Sequence, residues 1–565
     1  MTFLRTCLLS ASLALATLSP AASVATTDEL APGSIAWAAC TDDLVDAEWR
    51  DAWGPRLQCG TLSVPRAYGA PESGSVDIGL VRVRAGEMSQ RQGTMFFHFG
   101  GPGANPLDFL PQVAATWALA SPDSAIDGDK RRLADRYDLL AIVPRGLRGG
   151  PRVTCGTPPG FSGGPDPTID LADWNWSAFV REARDFATAC SADAVQSTVN
   201  THTHVLDMEK VRRSLGEPTV HFLGVSYGSW VGAFYAALFP GHVGRMVLDS
   251  SMDYTGTFEQ QIDSLAPETH DLLLRRAVRP ALRDPAYGWR ERTEASVLDA
   301  IRAVPGEALR AWLGGIETPD ELVAMLSLAE WIREVRATWT DAERWADVPA
   351  QLTRRAQDHA FSTDAATDAR VRDAAAELID RLDSPQAPSS MTDMAVYFGT
   401  TCGDGRWTKD LKQLRHLAGV LGQHYPLHGG GPVLTGLICR FWPYAPRLTI
   451  PTRRLAESIP PILMVHAEFD VITPIDGAWR AFEGTRDARM VVAQGMVGHG
   501  VFGMSDTPCV EHTVGRFLLT GTLPDERITA CPFVPRAAGR EEREADGWPS
   551  LDSIRATLRE RLRRS

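Results

Sequence analysis

The stretch that most restricts the fold runs from Thr219 to Phe239, TVHFLGVSYGSWVGAFYAALF. It reads as an apolar strand, Val220–Val225, that turns at Ser226 into an apolar helix stopped by Pro240. Another strand follows at Arg245–Leu248. The same alternation occurs upstream, with buried-strand runs at Thr94–Phe99 and Tyr137–Val143 and a helical stripe of Val205, Met208, Val211 and Leu215. Strands alternating with helices imply a parallel sheet covered on both faces. Residues 57–64 and 76–84 instead alternate in the manner of antiparallel strands.

The pattern changes between about Thr255 and Asp393. Strands vanish and amphipathic segments such as DELVAMLSLAEWIREVRATW take over. Strand character returns at Pro461–Val465 and Arg489–Ala493. A helical block between two parts of one sheet reads as an inserted cap. The expected organisation is a leader over 1–25, a first core segment over 26–254, a helical cap over 255–455, a second core segment over 456–535 and a charged tail over 536–565. One large fold with an insertion thus accounts for 565 residues, and 44% apolar with 22% charged residues is ordinary globular composition. The net charge of −13 argues against a nucleic-acid partner, which calls for a basic face.

The leader has the layout of a secretory signal peptide: Arg5, an apolar run from Cys7 to Leu18, and small residues up to Ala25. The run is too short for a spanning anchor, so the mature chain is expected in the periplasm or outside the cell, without a stable membrane anchor. Cleavage removes Cys7 and leaves eight cysteines. Eight cysteines allow 105 pairings; the nearest-neighbour set is Cys40–Cys59, Cys155–Cys190, Cys402–Cys439 and Cys509–Cys531. Free buried thiols are the alternative, less suited to an oxidising compartment. No pair has the short spacing of a zinc site, and no metal is expected.

Gly224-Val225-Ser226-Tyr227-Gly228 fits G-x-S-x-G, and its strand–turn–helix context is where a nucleophile elbow belongs. The tight turn would clash with side chains at both flanks, hence the glycines. A serine hydroxyl needs a base, itself oriented by an acid, and in this arrangement the chain order is Ser, acid, His. His499, in the Gly498-His499-Gly500 loop, is the expected base; His466 lies inside a strand and His512 on a helical run. Asp470 is the expected acid, with Glu468 as its rival. The oxyanion donors are expected from the N–H of Tyr227 and from Gly101, or its neighbour Gly100, in the loop after Phe99.

These residues lie in motifs that resemble the tripeptidyl aminopeptidase and proline iminopeptidase family of α/β-hydrolases. The matching runs are GGPG at Gly100–Gly103, PRG at Pro144–Gly146, GVSYGS at Gly224–Ser229 and AALFPGHVGRMVLD at Ala236–Asp249. CGD at Cys402–Asp404, Trp442-Pro443, EFDVITP at Glu468–Pro474, GHG at Gly498–Gly500 and the run from Cys509 through GTLP to Cys531 add to them. The resemblance implies an α/β-hydrolase fold with an inserted helical cap. It also implies an exported serine exopeptidase that removes short N-terminal units from peptides without a cofactor. The chain departs from the pattern at Ala104-Asn105-Pro106 and in the loop Val143–Gly150, both beside the site.

An aminopeptidase must meet its substrate's ammonium with a carboxylate. Asp404, in the CGD motif, is the first candidate, and Asp253 and Glu259 follow; each is otherwise a solvated or salt-bridged carboxylate. An exported carboxylesterase on the same scaffold, acting on a small ester, is the alternative, since fold and triad do not choose between ester and amide. A binding module that has lost its triad ranks below both, because all three triad candidates are present.

Overall fold

The computed structural model describes residues 25–155, 166–190, 193–312, 316–337, 347–383, 393–444, 452–457, 460–505 and 507–533. The expected signal peptide, up to residue 24, and the charged tail lie outside these. Ten strands form one sheet: β1 (Ala36–Ala38), β2 (Leu57–Pro65), β3 (Ser75–Val83), β4 (Gly93–His98), β5 (Tyr137–Ile142), β6 (Val220–Val225), β7 (Val243–Asp249), β8 (Ile462–Phe469), β9 (Arg489–Val497) and β10 (Ile528–Pro532). Their order is β1-β2-β3-β5-β4-β6-β7-β8-β9-β10. From β5 to β10 every pairing is parallel, and β3 runs antiparallel to both neighbours. This is the sheet of an α/β-hydrolase, and it is flanked by helices.

The central strands β4 and β5 are buried along their whole length, which is why they read as unbroken apolar runs. One core lies on each face. Met95, Phe97, Leu223, Val247 and Val465 point into one, while Phe96, Phe222, Met246, Leu248 and Met464 point into the other, as strand alternation requires.

Among the described residues, every element between β7 and β8, from Phe258 to Leu455, is helical. They fall into two groups. The segment from Leu273 to Leu382 builds a separate hydrophobic core around Trp312, Leu322, Trp331 and Leu378. The helices Met394–Gly403, Leu411–His424 and Gly431–Phe441 instead join the core of the sheet. They do so together with the helix Asp173–Cys190, which comes from the connection between β5 and β6. Gly430 N–H donates to Asp166 Oδ2 at 2.8 Å, and a Cβ on Gly422 would stand 2.0 Å from the Thr168 carbonyl oxygen. The helical layer over the sheet therefore includes residues that the sequence reading had placed in the core segment 26–254.

Four disulfides join the eight cysteines as Cys40–Cys59, Cys155–Cys190, Cys402–Cys439 and Cys509–Cys531, the nearest-neighbour set. Among the described residues no helix is long and apolar enough to cross a membrane.

Candidate active site

Ser226 sits between the end of β6 and the helix Tyr227–Leu238 with φ 60° and ψ −126°, a backbone that non-glycine residues adopt only under strain. The turn is as crowded as its glycines suggest. A Cβ on Gly224 would lie 2.4 Å from the Gly228 carbonyl oxygen, and one on Gly228 would lie 2.6 Å from that of His98. The loop after β4 presses on the same point, since a Cβ on Gly100 would meet Ser226 Cβ at 2.8 Å.

His499 follows β9, and its Nδ1 lies 2.9 Å from Asp470 Oδ2 and 3.1 Å from Oδ1. Asp470 ends β8 and is fully buried. Thr473 donates to it from its backbone N–H at 2.8 Å and from its hydroxyl at 2.9 Å. Burial favours the protonated Asp470, but the His499 hydrogen bond and charge and the Thr473 amide outweigh it and hold the carboxyl below its usual range. Burial likewise opposes a charged His499, but the hydrogen bond and charge of Asp470, with the charge of Asp249, raise its pKa above the ordinary value. The rivals are placed elsewhere. His466 is buried, accepting the Ser251 N–H on Nδ1, and its Nε2 lies 2.8 Å from the Thr473 carbonyl. His512 pairs with Asp129, and Glu468 accepts the Gly495 N–H.

Two residues that the sequence reading passed over hold the two halves of the site together. Asp249, at the end of β7, accepts the Ser226 N–H on its carbonyl at 2.9 Å. Its carboxylate accepts the N–H groups of Val501 and Phe502, at 3.0 and 2.8 Å, just past His499. Ser250 Oγ accepts the Gly500 N–H at 2.8 Å. The serine turn and the histidine loop thus hang from the same strand end. The signal was present in the sequence as an acid closing an apolar strand. Burial pushes the Asp249 carboxyl up to about 7, against the pull of those amides.

Of the two glycines considered for the oxyanion donor, Gly100 gives its N–H to His98 Nδ1 at 3.1 Å. Among the described residues the N–H groups of Gly101 and Tyr227 meet no acceptor. His98 packs edge-on against Tyr227, with ring centroids 5.3 Å apart, so one buried imidazole touches both sides of the expected hole.

The three carboxylates expected to meet an ammonium are all engaged inside the protein. Asp404 is buried and accepts from both the N–H and the hydroxyl of Thr201, at the start of the helix Thr201–Leu215. Asp253 pairs with Arg480 at 2.6 Å and accepts from Thr255. Glu259 accepts from Thr408 and pairs with Lys409 at 3.1 Å. The departures beside the site are structural too. Asn105 caps the helix Pro106–Leu119, and Arg148 donates to the Asp43 carbonyl at 2.9 Å.

The same region stands out in comparison with known proteins. Residues 426–531, which contain Asp470, His499 and the last disulfide, match the family model described as TAP-like protein. The tripeptidyl aminopeptidase of Streptomyces lividans is 27% identical over 507 residues, covering 86% of this chain and 86% of that protein. Carboxylesterase B of Mycobacterium tuberculosis is 25% identical over 510 residues, 88% of this chain and 90% of that protein. Serine protease Hip1 of the same species is 26% identical over 201 residues, 34% of this chain and 36% of that protein. The chain is an α/β-hydrolase that resembles the tripeptidyl aminopeptidases along most of its length.

Proposed function

We propose that the protein is an exported serine peptidase that releases short N-terminal units from peptides. Ser226 attacks the scissile carbonyl, His499 takes its proton and returns it to the leaving amine, and Asp470 fixes the imidazole tautomer. Gly101 and Tyr227 stabilise the oxyanion, and an acyl-enzyme forms and is hydrolysed. The observation that carries this reading is the shared anchoring of the strained Ser226 turn and the Asp470-bound His499 on the end of β7. No metal or cofactor takes part in it.

The carboxylesterase reading stays beside it because Asp404, Asp253 and Glu259 are all satisfied within the protein. A panel of amino-, di- and tripeptidyl fluorogenic amides, run beside short-chain esters with a Ser226→Ala control, tests both. Preferred turnover of amides with a free amine supports the peptidase. Equal hydrolysis of free and N-acetylated peptides, or turnover of esters alone, overturns it.

A further inference from the structure

A cavity of about 660 Å³ is lined in part by His499, and among the described residues no helix between β7 and β8 contributes to its lining. Its size is that of a small-molecule site. Its wall is a connected series of aromatic rings. Phe109 stacks on Phe99 at 5.5 Å, Phe99 on Phe97 at 6.0 Å, Phe97 leans on Trp117 at 5.3 Å, and Trp117 meets Phe502 edge-on at 5.7 Å. Val113 and Met504 complete it.

Among the polar side chains of this wall, Gln112 and the buried Nε2 of His98 have no protein partner, and both are neutral groups. Asp249 is tied to the Val501 and Phe502 amides, and His98 Nδ1 to Gly100. A charged ammonium finds no available carboxylate here and would be costly to bury. An apolar group gains roughly 25 cal/mol for each Å² that it removes from water.

We infer that this cavity receives a large apolar group, aromatic or branched aliphatic, on the leaving-group side of the scissile bond. The inference rests on reading Ser226 and His499 as nucleophile and base. His499 delivers a proton to the departing nitrogen or oxygen, so the substituent on that atom lies nearest the wall that His499 shares. Phe99 brings the oxyanion loop to the same wall, and the loop after His499 brings Phe502 and Met504.

The test is a ladder of leaving groups on a constant acyl unit. One series carries Gly, Ala, Leu or Phe as the first leaving residue of a peptide, and a parallel series carries methyl, isobutyl or benzyl as the alcohol of an ester. From the smallest to the largest member, kcat/KM should rise by ~10–100-fold. Val113→Trp, which narrows the cavity from its aromatic wall, should lower that ratio. A ratio between two substrates on one preparation does not depend on how much of the variant folds. A flat ladder in the parent protein overturns the inference, as does a Val113→Trp variant that changes preference on the acyl side alone. If esters turn over and peptides do not, the peptidase reading fails while the ester ladder still decides the pocket. With neither cleaved, the inference falls together with the reading it rests on.

Discussion

The backbone strain at Ser226 and the buried charge at Asp470 are each borne by neighbours that also position His499. A φ of 60° costs on the order of 1–3 kcal/mol and persists only where its surroundings fix it. Here the Asp249 carbonyl and the crowded glycines do so. Ser226→Ala keeps the turn and removes only the proposed nucleophile, so kcat should fall by ~10⁴–10⁶ with thermal stability retained. Near parental turnover by that variant would eliminate the mechanism. The pH profile follows from His499. A base must be neutral, and a pKa held above the ordinary 6.5 keeps this one protonated to higher pH than a free imidazole. The acid limb of kcat/KM should therefore lie above 6.5. Asp470→Asn removes the larger of the two charges that raise it, moves that limb to lower pH and costs ~10⁴ in kcat. Asp249→Asn should move the limb in the same direction by less, since the Asp249 carboxylate raises the imidazole's pKa by charge, without a hydrogen bond to the ring.

Among the elements, the helix Thr201–Leu215 shows how a buried acid from another helix is satisfied within the protein. Asp404 closes the helix Met394–Gly403 and accepts from Thr201, joining the helical layer to the core. Burial, partly offset by the Thr201 bonds, raises its carboxyl from 3.8 to about 7. The folded protein thus holds this proton more tightly than the unfolded chain, and stability is lost as pH rises from the unfolded value toward 7. Asp404→Asn keeps an acceptor for Thr201 and abolishes that loss. Relative to the parent, its urea-unfolding stability should increase between pH 5 and pH 8 by on the order of 2 kcal/mol. The ratio of activity on free and N-blocked peptides should not change. A selective loss of free-amine activity would return Asp404 to the substrate. Asp404 was the first candidate for a substrate's ammonium because it stands in CGD after Cys402, but a motif does not say which way a carboxylate faces. The strands were legible because burial on both faces leaves an unbroken apolar run in β4, β5 and β6. The strand β10 was not, since its five residues are half exposed and gain their place by pairing with β9. The helix Asp173–Cys190 carries an apolar face of Trp176, Phe179, Ala183 and Phe186 that was there to be read, but not the partner it packs on. Ser226, Asp470 and His499 were candidates because chain order and strand ends single them out, and the structure places His499 on Asp470. Asp249 was missed because its role lies in backbone contacts to a loop some 250 residues away.

At the scale of the molecule, the disulfides divide the helical layer unevenly. Cys155–Cys190 and Cys402–Cys439 lie in the pieces that join the sheet's core. The described helices from Glu294 to Asp383, with their separate core around Trp312 and Trp331, contain no cysteine. Thiol titration of the unfolded, unreduced protein should read near zero; a count near eight would discard the four bridges. Each bridge closes a loop of 19 to 37 residues. Such a loop stabilises by about 3 kcal/mol in the chain-entropy picture, equivalent to roughly 100-fold in an opening equilibrium. Hydrogen exchange separates the two groups of helices. Adding a reductant should lower protection in 166–190 and 394–441 by up to that factor, together with β2 and β10, which carry Cys59 and Cys531. Protection in the described helices from Glu294 to Asp383 should be unchanged, because no disulfide holds them. A uniform loss across both groups would mean that the helical layer opens as one unit with the sheet. The second core would then not be independent, and the group of helices with its own interior would be as fixed over the site as the group that shares the sheet's.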